Sequence, residues 1–245
     1  MIEKAIEIQT ADGPAGGYLY QPEAAGSWPG VIHLTDIGGI RAANRDWSMR
    51  LSAAGYLVLL PNIFFRSGAP PLFTSPFTIG DDAFMKRVAE LRQPMTPEAM
   101  DRDGSAYVDF LAAQETLKPG GFGILGFCFS SSMAMRIAAA RPEKIAALAS
   151  FHGGGLCTDA PASPHLLLPR VKARLYFGHA SEDRSMPKEA IERFEGALRS
   201  WGGKFESETY DARHGWTMRD MPVYNQPQAE RAFSKLTGLF AATLP

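Results

Sequence analysis

The chain has 245 residues, of which 45% are hydrophobic and 11% aromatic, and its formal net charge is −1. This length and apolar content suffice for one large core, which predicts a single domain over residues 1–245. A charge near zero gives no net attraction to nucleic acid or to an anionic membrane, so we expect neither as a partner.

The start of the chain and its cysteines bear on the compartment. The opening MIEKAIEI has neither a basic start nor an apolar stretch of signal-peptide length, and no segment approaches the ~18 apolar residues of a membrane helix. The two cysteines, Cys128 and Cys157, provide no disulfide framework, as is usual in a reducing compartment. We therefore expect a cytoplasmic protein and, as its oligomeric state, a monomer or a homodimer.

Strands and helices alternate along the predicted secondary structure. Short continuous apolar runs such as Val31–Leu34 and Tyr56–Leu60 are typical of strands buried on both faces, and Gly55 ends the helix between them. Strands are predicted, in chain order, at 2–9, 16–20, 31–34, 56–60, 124–125, 145–151, 173–178 and 205–210. Helices are predicted at 44–54, 82–91, 133–140, 187–201 and 227–239. The alternation predicts an α/β fold with a mostly parallel, doubly wound sheet and helices on both faces.

Residues 61–97 interrupt this alternation with many prolines and aromatic residues. A connection of this length inside a compact domain is typical of a lid or a binding loop, so 61–97 is a candidate pocket-lining insertion. The aromatic candidates for the pocket wall are Phe64, Phe65, Phe73 and Phe77. The alternative is that these rings fill a satellite core beneath the loop.

The segment GFCFS at 126–130 carries the most chemical information. It joins the buried strand at 124–125 to a helix rich in Ala and Met, so Cys128 lies in the turn between them. Gly126 and Ser130 supply the small flanking residues of the nucleophile elbow G-x-S-x-G, in which strand and helix approach closely. The positive end of the helix dipole favours a thiolate at this position. The alternative is a buried cysteine that packs as a small hydrophobic residue.

An acid and a histidine follow in the chain order that such an elbow requires. Asp183 comes after the apolar run at 173–178, in a loop at the end of a predicted strand, and His214 comes after the alternating run at 205–210. Both side chains are therefore expected at the loop-bearing edge of the sheet, near Cys128. Taken singly, Asp183 could be a helix-capping residue and His214 a solvated histidine in a turn.

At this point the sequence resembles the dienelactone hydrolase family, the cysteine branch of the α/β-hydrolases, over nearly its whole length. The resemblance is carried by GFCFS at 126–130, GHASEDRSMP at 178–187, HGW at 214–216 and RDMPVYNQPQAERAF at 219–233. It implies an α/β-hydrolase fold, hydrolysis of small esters or lactones, and a triad of Cys128, Asp183 and His214 in the roles of nucleophile, acid and base.

The resemblance also implies roles for residues around the thiol. The backbone N–H groups of Phe129 and Ile37 match the oxyanion hole. In the segment VIHLTDIGG, Asp36 stands where the family usually has a glutamate that governs ionisation of the thiol. Ser130 stands where the family commonly has glycine.

Substrate binding is implied for further residues. Arg66 ends the segment PNIFFR, which is similar to a family segment whose arginine pairs with the substrate carboxylate. Arg219 lies one position away from a second such arginine, a shift that argues against assuming the family's namesake substrate. Phe64 and Trp216 complete the set of substrate-binding candidates.

The sequence thus predicts a hydrolase of small carboxylic esters or lactones that works through an acyl-thiol intermediate, without cofactor or metal. The histidines, cysteines and carboxylates show none of the short spacings of zinc ligands. Two alternatives stay open. One is a catalytically idle protein that binds a small acid, and the other is a redox-sensing protein in which Cys157 approaches Cys128 on oxidation.

Overall fold

The computed structural model describes residues 1–73 and 80–244. Its strands are β1 Ile2–Thr10, β2 Gly13–Gln21, β3 Gly30–His33, β4 Leu57–Pro61, β5 Phe122–Phe127, β6 Ile145–Phe151, β7 Arg174–Glu182 and β8 Phe205–Arg213. Its α-helices are α1 Ala42–Ala53, α2 Asp82–Arg92, α3 Pro97–Ala112, α4 Ser130–Ala140, α5 Lys188–Trp201 and α6 Gln226–Ala241. Short 3₁₀ helices cover Phe65–Ser67 and Pro164–Arg170.

All eight strands form one sheet in the order β1-β2-β4-β3-β5-β6-β7-β8. The pairs β1–β2 and β2–β4 are antiparallel, and every later pair is parallel. The two strands predicted at the start of the chain form a hairpin at one end of this sheet, and the strand predicted at 205–210 lies at the other end. Because β3 to β8 run parallel, their carboxyl ends share one edge, where the connecting loops meet.

Helices cover both faces of the sheet. Successive residues of β3 point to opposite faces, and Ile32 belongs to one hydrophobic core while Val31 belongs to the other. Helices α3, α4 and α5 pack on the Ile32 side, and α1 and α6 pack on the Val31 side. This arrangement confirms the predicted fold class. Among the helices of the described ranges, none has the length and apolarity needed to cross a bilayer.

Helix α3 is the element that the predicted secondary structure lacks. It begins with Thr96, whose side chain accepts a hydrogen bond from the Ala99 N–H, and continues with Pro97 in the first turn. This pairing of a capping threonine with proline is a standard start signal, which the proline-rich character of 61–97 obscured. Helix α3 packs against α4 and thereby supports the turn that carries Cys128.

Candidate active site

Cys128 occupies a strained turn between β5 and α4. Its φ of 53° lies in the left-handed region, which costs a residue with a Cβ about 1–2 kcal/mol. The turn requires glycine at Gly126, because a Cβ there would lie 2.9 Å from the carbonyl oxygen of Ser130 and 2.9 Å from the Cα of Ser131. Neither backbone atom can move aside without opening the turn. The tight approach therefore presents Cys128 at the carboxyl edge of the sheet.

Ser130 fastens this turn to the neighbouring strand. Its buried Oγ accepts a hydrogen bond from the Phe127 N–H at 2.9 Å and lies 3.1 Å from the carbonyl oxygen of Leu34, to which it can donate. A glycine at this position would lack both contacts. The serine therefore ties the end of β5 to the residue that follows β3.

Asp183 and His214 meet because they follow adjacent parallel strands. Glu182 at the end of β7 pairs with Arg213 at the end of β8, so the next residue of each strand lies beside the other. The Nδ1 of His214 is 2.6 Å from the Oδ2 of Asp183. The Asp183 side chain is only 2% exposed and also accepts hydrogen bonds from the N–H and the hydroxyl of Ser185.

These contacts set the ionisation of both groups. Burial opposes the charged form of Asp183, but hydrogen bonds from His214 and Ser185 outweigh it and hold the pKa of the carboxyl below its usual value. Burial likewise opposes a charged His214, but hydrogen bonds and Coulombic interactions with Asp183 and Cys128 outweigh it and raise the pKa of the imidazole to about 10. The structure therefore favours an imidazolium at His214 in neutral solution.

Cys128, Asp183 and His214 line one cavity of about 1040 Å³. Part of its wall comes from the 61–97 segment, through Gly80 and the α2 residues Phe84, Met85 and Arg92. The three residues that the sequence singled out for catalysis are thus brought together, beside a helix of the segment singled out as a pocket-lining insertion. We call this space the thiol cavity.

The two N–H groups expected to form an oxyanion hole lie at the ends of neighbouring strands. Phe129 follows Cys128 after β5, and Ile37 follows β3, which pairs with β5. Within residues 1–73 and 80–244, neither N–H donates a hydrogen bond to another group. Both donors are therefore available to a ligand.

Asp36 is bound to an arginine of its own loop. Its carboxylate forms a two-pronged pair with the Arg41 guanidinium, with Nη2 to Oδ2 at 2.8 Å, and accepts a hydrogen bond from the Gly38 N–H. Arg41 also pairs with Asp220 at 2.8 Å. The structure therefore places the Asp36 carboxylate in a salt-bridge network, where its charge is balanced by Arg41.

The two arginines expected to bind a substrate carboxylate are paired with carboxylates of the protein. Arg66 makes two hydrogen bonds to the buried Asp103, at 2.7 and 2.8 Å, and also contacts Asp12. Arg219 lies 3.0 Å from Asp46 on the surface. Among the described residues that line the thiol cavity, neither arginine appears.

Phe64 and Trp216 are fully buried packing residues. The Phe64 ring stacks on Phe129 with centroids 6.2 Å apart, and the Trp216 ring stacks on Tyr210 at 4.8 Å. Phe64 thus packs behind Phe129, which lines the thiol cavity. Phe64 itself is not among the described residues that line it. Phe77 lies outside the described residues.

His152 is a further residue in contact with His214. It follows β6 with a left-handed φ of 41°, and its buried ring meets His214 edge to face at 5.0 Å and Trp216 at 5.1 Å. Its Nε2 lies 2.7 Å from the Thr217 hydroxyl. Burial and the nearby His214 hold the pKa of His152 well below the usual value, so the ring is neutral. Its position after a central strand was the signal available in the sequence.

Among the described residues, four lysine and arginine side chains line the thiol cavity, and the sequence singled out none of them. Arg92 lies over the Phe129 ring, with its guanidinium carbon 5.2 Å from the centroid, and Arg184 follows Asp183 directly; the others are Lys188 and Arg213. Within the described ranges, no cluster of three or more His, Cys, Asp or Glu side chains is arranged to hold a metal ion.

Comparison with known proteins places this geometry in a family. The model of the dienelactone hydrolase family matches residues 15–244. A Synechocystis protein named "Putative carboxymethylenebutenolidase" is 29% identical over 93% of this chain and 92% of its own length. The carboxymethylenebutenolidase of Rhodococcus opacus is 30% identical over 79% of this chain and 72% of its own. The solved structure of a "Putative Dienelactone Hydrolase" from Klebsiella pneumoniae is similar in fold, with a TM-score of 0.86 at 22% identity over 98% of each chain.

Proposed function

Because the chain belongs to the dienelactone hydrolase family, whose model matches most of its length, we propose that it hydrolyses small carboxylic esters or lactones with Cys128 as nucleophile. The observation that carries this proposal is the Asp183–His214 pair at 2.6 Å in the cavity that also contains the strained Cys128 turn. A buried carboxylate that orients a histidine beside a thiol is the arrangement that nucleophilic acyl transfer needs.

The first half of the reaction forms an acyl-thiol. As the reaction begins, the proton of the Cys128 thiol passes to His214, and Asp183 stabilises the resulting imidazolium. The thiolate adds to the ester carbonyl, and the Phe129 and Ile37 N–H groups bind the oxyanion. Collapse of this intermediate breaks the bond to the alcohol oxygen, which takes the proton from His214.

The second half releases the acid. His214, now neutral, removes a proton from a water molecule as that water adds to the acyl-thiol carbonyl. The oxyanion again forms at the two N–H groups, and collapse expels the Cys128 sulfur. The carboxylic acid product leaves, and the thiolate and imidazolium are restored. Apart from the Ile37 N–H, the steps use residues that line the thiol cavity.

A cysteine substitution tests the proposal. We expect Cys128→Ala to lower turnover of p-nitrophenyl acetate by at least about 1,000-fold, because the variant lacks the sulfur that forms the acyl-thiol. The buried Cys157 offers a matched control, and Cys157→Ala should keep most of the activity. Far-UV circular dichroism of both variants would verify the fold. Full turnover by correctly folded Cys128→Ala would refute the assignment.

Thiol alkylation separates this proposal from the two other functions considered above. An enzyme of this kind should show Cys128 alkylated by iodoacetamide much faster than Cys157, with a pH profile set by His214. Equal, slow alkylation of the two cysteines would favour an idle binding protein. A redox sensor should instead show a Cys128–Cys157 disulfide by mass spectrometry after mild peroxide treatment.

A further inference from the structure

A second cavity, of about 610 Å³, adjoins the thiol cavity. The two share five lining residues, namely Met85, Arg92, Phe129, Gly154 and Gly155. Phe129 directly follows the nucleophile, so the second cavity begins beside the turn that carries Cys128. Among the described residues that line this second space, none belongs to the set Cys128, Asp183 and His214.

The lining of the second cavity is apolar. Its main hydrophobic members are Met85, Val88, Met95, Met100, Phe129 and Pro164, and we call the space they surround the acyl chamber. Two arginines are among its described lining residues. Arg136 is neutralised by two hydrogen bonds to Asp101 and donates one to the Pro97 carbonyl oxygen, and Arg92, which also lines the thiol cavity, lies over the Phe129 ring. A hydrocarbon group can therefore contact the apolar part of the lining while Arg92 stays at the junction of the two cavities.

Met85 is an exposed hydrophobic side chain at the junction of the two cavities. It is 53% exposed, although large apolar side chains in this fold are otherwise mostly buried. Exposed apolar surface beside a cavity commonly marks a site that a ligand covers. Methionine also adapts its shape to different apolar partners.

The chemistry of ester cleavage decides which part of the substrate enters the chamber. Three groups surround the carbonyl carbon that Cys128 attacks: the carbonyl oxygen, the leaving oxygen and the acyl chain. The carbonyl oxygen points to the Phe129 N–H, and the leaving oxygen must face His214, which protonates it. Since His214 lines the thiol cavity, the alcohol lies on that side and the acyl chain takes the direction past the Phe129 ring.

We propose that the acyl chamber binds the hydrocarbon chain of the acyl group, so that the preferred substrates are esters of medium-chain, apolar carboxylic acids. This inference rests on the proposed function of Cys128. It predicts that chain length matters differently in the two halves of the ester. A longer apolar acyl chain should raise kcat/KM, whereas the alcohol half lies towards the solvent-facing and charged part of the thiol cavity.

Two substrate series on the wild-type enzyme test the inference. For p-nitrophenyl acetate, butyrate and hexanoate, we expect kcat/KM to rise roughly threefold per added methylene, the gain from moving a methylene out of water. For methyl, butyl and hexyl butyrate, kcat/KM should change less than about threefold in total. A flat acyl series, or a rise with the length of the alcohol, would overturn the chamber assignment. Failure to hydrolyse any ester would instead overturn the proposed function, and the chamber with it.

A filling variant tests the position of the chamber. Val88→Trp should lower the ratio of hexanoate to acetate kcat/KM towards one, because the indole occupies the space of the chain. Lys86→Trp is the matched control, since Lys86 is exposed on the same helix and does not line the chamber. It should keep the wild-type ratio. An unchanged ratio in folded Val88→Trp would overturn the assignment, and the wild-type series decides the question if that variant does not fold.

Discussion

Arg66 is paired with two carboxylates of the protein. The resemblance to the family implied that it binds a substrate carboxylate, but in the fold its guanidinium donates hydrogen bonds to Asp103 and Asp12. Asp103 is 1% exposed and would be a buried, uncompensated charge without this arginine. Such a pair stabilises the folded state chiefly because an unpaired carboxylate in the same buried position would be very unfavourable. Arg66 therefore belongs to the structural support of the fold.

Replacement of Arg66 should consequently lower stability. We expect Arg66→Met to reduce the free energy of unfolding by about 3 kcal/mol, because it leaves the Asp103 carboxylate buried and unpaired. Arg102→Met is the matched control, since Arg102 is half-exposed and contacts the exposed Asp12, so its loss should change the free energy of unfolding far less. Urea unfolding of the two variants would compare them. Equal losses would contradict the structural role of Arg66.

His152 contributes to the position of His214, the proposed base. Its neutral ring packs edge to face on His214, and the Thr217 hydroxyl holds it from the other side. The strained backbone at His152 persists because these contacts and the end of β6 determine its position. The orientation of His214 thus depends on packing as well as on Asp183.

At the scale of elements, glycine matters where helices touch. Gly104 of α3 faces Ile137 of α4, and a Cβ added there would lie 2.2 Å from the Cγ1 of that isoleucine. Gly196 of α5 has open space around its Cβ position. Both glycines lie inside helices, and they differ in what surrounds the Cβ position.

The same substitution should therefore have opposite effects at these two sites. We expect Gly196→Ala to raise the free energy of unfolding by about 0.5–1 kcal/mol, since alanine lowers the entropy cost of the helix. Gly104→Ala should lower it by about 1–3 kcal/mol, because the added methyl forces α3 and α4 apart. Chemical unfolding of both variants measures the difference. A Gly104→Ala variant with a higher free energy of unfolding than the wild type would contradict the expected clash between α3 and α4.

At the scale of the whole molecule, buried histidines set the response to acid. Burial lowers the pKa of His33 to about 3 and that of His179 to about 4, and His152 also lies well below the usual value. In the unfolded chain these groups bind protons near pH 6.5. Acid therefore favours the unfolded state from pH 6.5 downwards, before most carboxylates titrate. His214 has the opposite shift, and its stabilisation is present below pH 6.5 and is lost as the pH rises through about 10.

A variant of His179 tests the predicted loss of stability in acid. The His179 ring lies against Phe177 and Phe194, and both of its nitrogens lack a hydrogen-bond partner within the described chain. We expect the free energy of unfolding of the wild type to fall between pH 7 and pH 5 by about 2 kcal/mol more than that of His179→Phe. Urea unfolding at both pH values supplies the comparison. Equal losses would mean that His179 is protonated in the folded protein.

What the sequence determined by itself follows from local rules. The alternation of apolar runs with helices predicted the parallel sheet, and the glycine before Cys128 predicted the turn that presents the thiol. Asp183 and His214 were predictable because residues that follow parallel strands share one edge of the sheet. Only the order of residues along the chain was needed for these results.

The tertiary structure alone decided which distant side chains meet. The pairing of Arg66 with Asp103 and of His152 with His214, together with the acyl chamber between α2 and the elbow, joins segments that share no periodic pattern. A charged or aromatic side chain reaches several ångströms, and its partner is the group that the packed helices and loops bring within contact distance. That partner is set by three-dimensional packing, which local spacing does not encode.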